Sequence, residues 1–159
     1  MILKNSMYPE DDKMLVAVDM IVFTIRSNEL MVLLIKRGSN PFKGMWAIPG
    51  GSVMVSESLE DAAKRELEEE TGIRNIELRQ LHTFGNPKRD PRGRVISVAY
   101  FALINSGDII LKPDTDASEA EWFSVLKLPK LAFDHKKILE YALRERIEII
   151  KIARAFNPL

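Results

Sequence analysis

Apolar runs alternate with short polar breaks through the first third of the chain. Residues 14–25 (MLVAVDMIVFTI) are rich in Val and Ile and predict a strand. Ser27-Asn28-Glu29 marks a turn, and residues 30–36 (LMVLLIK) predict a second strand, so the pair reads as a hairpin. Residues 37–44 (RGSNPFKG) are rich in turn formers and read as a loop. Residues 45–49 (MWAIP) form a short extended piece that leads into the double glycine Gly50-Gly51.

The period then changes. Leu59, Ala62, Ala63 and Leu67 recur at helical spacing and give a narrow apolar stripe to set against a sheet. Ser58 suits the N-cap, and Asp61 three residues on completes a capping-box-like pattern. Glu60 and Asp61 fall in the first turn, where negative charge suits the helix dipole. Gly72 supplies the C-terminal stop. Beyond it, residues 76–84 and 95–104 predict strands on either side of a loop at 86–94 (NPKRDPRGR). Residues 112–121 are polar and acidic, and 121–125 (EWFSV) read as extended. Asp134 is a candidate cap for a long last helix reaching about Phe156. No repeat, low-complexity tract or linker divides the chain. The expected organisation is a flexible lead-in at 1–13, one domain at 14–145 and a helical extension at 146–159.

Composition narrows the function classes. A chain of 159 residues, 46% hydrophobic and 29% charged, suits one globular domain with a sizeable core. Lys+Arg and Asp+Glu both number 23, so no general pull toward nucleic acid or an anionic membrane is expected. The absence of cysteine excludes disulfides, zinc-thiolate sites and thiol catalysis. Two histidines, His82 and His135, make a His-rich metal site or a Ser-His-Asp triad a poor expectation. The longest apolar run is broken by Asp19 and is too short to span a bilayer. The N-terminus lacks the apolar core of a signal peptide, so a cytoplasmic address is expected.

Residues 50–73 (GGSVMVSESLEDAAKRELEEETGI) gather seven acidic side chains and two basic ones. Glu66 and Glu70 are four apart and share one helix face; Glu69 adjoins it. Like charges at that spacing repel by about 0.2–0.5 kcal/mol per pair. A hard divalent cation would turn that repulsion into attraction, because Mg²⁺ takes carboxylate and phosphate oxygens. Arg65 can pair with Glu57 and tie the loop to the helix. Gly50 and Gly51 allow a sharp turn and close approach to a ligand, and a carbonyl there is a further candidate metal ligand. A Glu-rich helical face on its own is usually a solvated surface.

The combination says more. Gly51, Glu57, Arg65-Glu66-Leu67, Glu69-Glu70 and Gly72-Ile73 match every fixed position of the Nudix box, G-x5-E-x7-R-E-U-x-E-E-x-G-U with U aliphatic. The chain therefore resembles a Nudix hydrolase. The resemblance implies an α/β/α sandwich around a mixed β-sheet, with the box as loop-helix-loop. It implies hydrolysis of a nucleoside diphosphate linked to another moiety, with Mg²⁺ (or Mn²⁺) as cofactor. Carried onto this chain, Glu66, Glu69 and Glu70 bind the metal with help from the Gly50 carbonyl, while Gly51, Glu57, Arg65 and Gly72 shape the box. The catalytic base stays open among Glu69, Glu119 and Glu121, with Glu66 beside it in the catalytic set.

A second stretch, LHTFGNPKRDPRGRVISVAY (81–100), resembles the ADP-ribose pyrophosphatase branch. Pro87 past the box, the run RDPRGR and the later LAFDH (131–135) carry that likeness, and they imply ADP-ribose as substrate. Arg89, Arg92 and Arg94 are candidate diphosphate or ribose contacts, since planar guanidinium forks suit such oxygens. Phe84 is a candidate for stacking on adenine, with Trp46 and Tyr100 beside it, although strand aromatics are more often core. The same style also resembles ADP-ribose-responsive transcriptional regulators. Those carry a DNA-binding domain of about 60–80 residues, more than follows the last helix here. A hydrolase of other nucleotides, such as nucleoside triphosphates, shares the box but explains the arginine loop less well. Ile147, Ile149, Ile150, Ile152, Ala153 and Phe156 give the last helix excess apolar surface, which suits a homodimer interface, the preferred expectation, or the start of a linker to a further domain. A small nucleotide is the expected partner; membrane and nucleic acid are not.

Overall fold

The computed structural model describes residues 13–107, 109–114 and 116–156, with side chains as far as residue 145. Ser27 and Asn28 have positive φ (48° and 62°), as a two-residue hairpin loop requires. They join β1 (Leu15–Arg26) to β2 (Glu29–Arg37). The pleat of β1 sends Val18, Met20 and Val22 to one face and Asp19, Ile21 and Phe23 to the other.

β1 and β2 pair from Phe23 to Arg26 and then part. β3 (Trp46–Ala47) pairs with β2 at Ile35 and Lys36, and β4 (Gly50–Ser52) pairs with β1 at Ala17, Val18 and Asp19. Their opposite edges are held by β7 (Ala117–Ser124) on β2 and β6 (Val95–Leu103) on β1. Residues 46–52 therefore fill the fork between the two strands. β6 runs parallel to β1, and β5 (Arg79–Phe84) closes that side antiparallel to β6. The result is a mixed, seven-stranded sheet.

α1 (Leu59–Thr71) packs Ala62, Ala63 and Leu67 against Val18, Met20, Val22 and Leu33 on one face. α2 (His135–Phe156) packs Ile138, Leu139 and Ala142 against Ile21, Phe23, Val32 and Leu34 on the other. Each fully buried aliphatic side chain contributes about 1.5–3 kcal/mol, so both helices are fixed by their apolar stripes. This is the α/β/α sandwich that the resemblance to the Nudix family implies. The caps of α1 agree as well: Ser58 Oγ accepts from the Asp61 N–H at 3.1 Å, and Gly72 at φ 78° closes onto the Glu68 carbonyl at 2.8 Å.

Several boundaries differ from expectation. β5 begins at Arg79; Ile76 and Leu78 instead pack beside α1 without pairing. β7 begins at Ala117, inside the stretch read as polar and acidic, because its pairing with β2 outweighs the composition. Asp134 stands just before α2, where its backbone carbonyl accepts the Ile138 N–H at 3.2 Å, and its carboxylate is bound to Arg89. Residues 1–12 of the predicted lead-in lie outside the described residues, as do the side chains behind the predicted dimer face. Among the described residues no helix is long and apolar enough to cross a membrane.

Candidate active site

The fork brings the double glycine against α1. A Cβ on Gly51 would stand 2.3 Å from the Glu66 carboxylate, and one on Gly50 would stand 2.3 Å from the Val18 carbonyl oxygen. At Gly50 the obstacle is backbone, so only glycine permits that approach; at Gly51 a side chain would require the Glu66 carboxylate to move. The Gly50 N–H donates to Glu70 Oε2 at 2.8 Å, so the loop and the helix are joined through a carboxylate.

Arg65 organises the rest of the acidic group. Its Nε and Nη2 meet Glu57 at 2.9 and 2.6 Å, and Nη2 also donates to the Ser52 carbonyl at 3.1 Å. Its Nη1 meets Glu66 at 2.7 Å and Glu69 at 3.3 Å. The Arg65 hydrogen bonds hold the Glu57 carboxyl down to about 2. Glu70 behaves in the opposite way. It is 6% exposed, and burial pushes its carboxyl up to about 8, against the pull of the Gly50 N–H and with the Glu66 and Asp19 charges adding to the rise. Burial also raises Glu66, opposed by its bond to Arg65.

These residues fit a hard divalent cation by the chemistry of their donors. Glu66, Glu69, Glu70 and Gly50 line one cavity of about 420 Å³, and three carboxylates plus a backbone oxygen are the ligands such ions take. Burial raises the Glu66 and Glu70 carboxyls, and a cation beside them would favour their charged forms. Among the described residues no three acidic or histidine side chains already stand as a metal cluster; Glu66 and Glu69 are turned toward Arg65.

The facing wall is built from residues far apart in sequence. Arg89 closes its fork on Asp134 at 3.0 and 2.8 Å and lies 3.7 Å from Asp19. Ser97 Oγ donates to Asp19 in a very short bond. His135 Nδ1 accepts the Ile48 N–H at 2.9 Å, which leaves the ring proton on Nε2, 3.6 Å from Asp19. Burial lowers the His135 pKa, so the ring is neutral. Arg92 forks onto Asp90 at 3.0 and 2.7 Å and lies over the Phe133 ring at 5.3 Å.

Other expected contacts stand elsewhere. Arg94 donates to the Gly85 carbonyl at 2.6 Å and is not on the cavity wall. Phe84 packs against Tyr141 and His82, Trp46 against Phe123, and Tyr100 is buried with its hydroxyl on Glu60; none of the three faces the cavity. Glu119 pairs with Lys36 at 3.0 Å, and neither it nor Glu121 lines the cavity. The carboxylate that this acidic segment gives to the cavity is Asp116.

Residues 13–142 match the NUDIX domain family. The chain belongs to the Nudix family. It is 46% identical over 129 residues to the ADP-ribose pyrophosphatase of Methanocaldococcus jannaschii, covering 81% of this chain and 73% of that one. It is 39% identical over 143 residues to the ADPR-responsive transcriptional repressor NtrR of Acinetobacter baylyi, covering 87% of this chain and 56% of the repressor. The chain thus spans little more than half of that regulator. Among solved structures, the NUDIX domain of Shewanella oneidensis NrtR complexed with ADP ribose superposes with a TM-score of 0.77 at 38% identity, covering 85% of this chain and 89% of that one. Family and archaeal relative together make this chain a Nudix pyrophosphohydrolase. Divalent-metal use goes with the family.

The sequence reading does not assign the cavity residues Asp19, Arg37 and Asp116 to the site, and it quotes Phe133 and His135 within LAFDH without giving them a role. Asp19 had a signal, since a lone carboxylate inside an otherwise apolar strand has to be paired or functional. Arg37 and Asp116 read only as loop-edge charges.

Proposed function

We propose that this Nudix chain hydrolyses ADP-ribose to AMP and ribose 5-phosphate, using Mg²⁺ (or Mn²⁺). The observation that carries this reading is the polarity of one cavity. Glu66, Glu69, Glu70 and Gly50 form an acidic pole, and Arg37 and Arg92 form a cationic one. A diphosphate joined to a metal ion carries the complementary charges. The volume of about 420 Å³ falls within the range of small-molecule sites.

In this reading Glu66, Glu70 and the Gly50 carbonyl hold the cation. When bound, it supplies countercharge to the diphosphate and makes a neighbouring water more acidic. Glu69 adds a third carboxylate on the solvent side, and we assign it the proton of the attacking water. The water oxygen joins one phosphorus, the bridging P–O bond breaks, and the bridging oxygen leaves with the other phosphate. Glu57 and Arg65 keep the loop and helix in register through their two-bond pair.

The test is AMP release from ADP-ribose with and without millimolar Mg²⁺, beside nucleoside triphosphates and sugar nucleotides. Rapid, metal-dependent AMP release is expected. Tight binding without turnover would favour the sensor reading, which the likeness to the repressor supports. A preference for triphosphates would keep the family chemistry and discard ADP-ribose. Within the ADP-ribose reading, Arg92→Ala is expected to raise KM roughly tenfold while kcat changes little; an unchanged KM removes Arg92 from the substrate contacts. A homodimer is also proposed, for light scattering to test.

A further inference from the structure

Residues 46–52 cross the fork from β2 to β1, and Gly50 stands where the crossing reaches β1. Ala47 pairs with Ile35 of β2, and Gly50 pairs with Asp19 of β1. Between them come Ile48 and Pro49. The Pro49 carbonyl accepts the Met20 N–H at 2.8 Å, but proline has no N–H to give. The N–H of buried Ile48 is therefore the last donor before Gly50, and it donates to His135 Nδ1 at 2.9 Å.

Here a side chain fills a place that backbone would hold. Leu131 lies parallel to Trp46, and the Ala132 N–H donates to the Trp46 carbonyl at 2.8 Å. One more step of that ladder would offer the Ala132 carbonyl to Ile48. Instead the chain turns at Phe133, φ 52°, and the Ala132 carbonyl accepts the His135 N–H at 3.2 Å. His135 Nδ1 replaces it. On the other side of the ring Nε2 lies 3.6 Å from Asp19, and a Cβ on Gly50 would stand 2.5 Å from Asp19 Oδ1. The ring thus reaches both the segment that leads into Gly50 and the residue that Gly50 pairs with.

We infer that His135 is a positioning residue for the cation: through the Ile48 N–H, its Nδ1 sets where the Gly50 carbonyl stands. The inference rests on the reading of Glu66, Glu70 and the Gly50 carbonyl as cation ligands. Glu70 already holds the Gly50 N–H at 2.8 Å, so a crossing displaced at Ile48 disturbs a carboxylate as well as a carbonyl. A buried N–H left without an acceptor either forces such a displacement or bears its full desolvation cost.

Mn²⁺ alone is the probe, titrated onto the whole chain well below its melting temperature. Free Mn²⁺ is read by electron paramagnetic resonance and folding by circular dichroism. His135→Leu puts a methyl group where Nδ1 stood, and it is expected to weaken Mn²⁺ binding roughly tenfold or more, as loss of an outer-shell partner does. His135→Asn puts there an oxygen that can accept the Ile48 N–H, and it is expected to stay within about threefold of the parent. Both variants lose the contact to Asp19, so the difference between them reports the Ile48 bond. A part played only in folding would lower both melting temperatures and leave the Mn²⁺ affinity of the folded chains unchanged. That result overturns the inference, and so does an Asn variant as weak as the Leu one. If His135→Leu does not fold, His135→Asn is read alone: affinity within about threefold supports the inference, and a loss of roughly tenfold overturns it. Failure of the unsubstituted chain to bind Mn²⁺ at millimolar concentration rejects the metal reading and the inference with it. Binding by the parent and equally by both variants rejects the inference alone.

Discussion

Glu70→Gln is expected to abolish metal-dependent turnover, by roughly a thousandfold or more, while the metal-free protein keeps its fold. The glutamine oxygen can still accept the Gly50 N–H that Glu70 Oε2 accepts at 2.8 Å. What it removes is a negative charge that burial already disfavours, since the carboxyl stands at about 8 against an ordinary 4.5. The sign of the pH dependence follows. A carboxyl raised on folding contributes stability that is fully present below pH 4.5 and is lost as pH rises through about 8. The metal-free protein should therefore melt lower at pH 8 than at pH 5.5, and Glu70→Gln should flatten that slope. Mn²⁺ or Mg²⁺ should raise the melting temperature of the parent at pH 8, because a ligand of the folded state alone stabilises it. The variant should lose most of that rise. Thermal melts at the two pH values, with and without metal, decide the matter. A variant that keeps near-normal turnover, or keeps the metal-induced shift, removes Glu70 from the metal site.

The acidic pole was legible because helix geometry is local. Glu66 and Glu70 share a face wherever that helix stands, Glu69 adjoins it, and the double glycine lies just before the helix. The separate elements were legible for a similar reason, since β1 and β2 declare themselves by composition and α1 by its stripe and caps, while the sandwich followed only from the resemblance to the Nudix family. The fork was not. β3 and β4 are too short to show a period, and their places depend on β1 and β2 parting after Phe23. The facing wall was hidden more deeply. Asp19, Ser97, Arg89, Asp134 and His135 come from two strands, two loops and the start of α2; the parallel pairing of β1 with β6 sets Ser97 beside Asp19, and tertiary packing brings the others to them. RDPRGR and LAFDH read as two separate marks of a substrate. In the fold they hold each other, Arg89 on Asp134 and Arg92 over Phe133. A basic loop that suits a diphosphate and a basic loop locked onto a neighbouring carboxylate have the same sequence.

Arg89 separates those two roles. Its side chain is 4% exposed and carries both the fork to Asp134 and the contact to Asp19. Arg89→Ala should leave two largely buried carboxylates without countercharge, a loss of about 3–5 kcal/mol. Set against a domain stability of about 5–15 kcal/mol, that is about a fifth of the total or more. At 2–4 °C per kcal/mol for a chain of this size, the melting temperature should fall by roughly 10 °C. Arg89→Lys should recover only part of the loss, because a point charge cannot meet both Asp134 oxygens at once. Pairing Arg89→Ala with Asp134→Asn should cost less than the sum of the two single changes, since each alone strands the charge of the other. Urea melts of the four proteins measure that coupling directly. A substrate contact would behave differently: the alanine variant would melt within about 0.5 kcal/mol of the parent, as a surface change does, and its defect would lie in KM. The fork geometry favours the first outcome, with Arg89 acting as the clasp between the 86–94 loop and the start of α2.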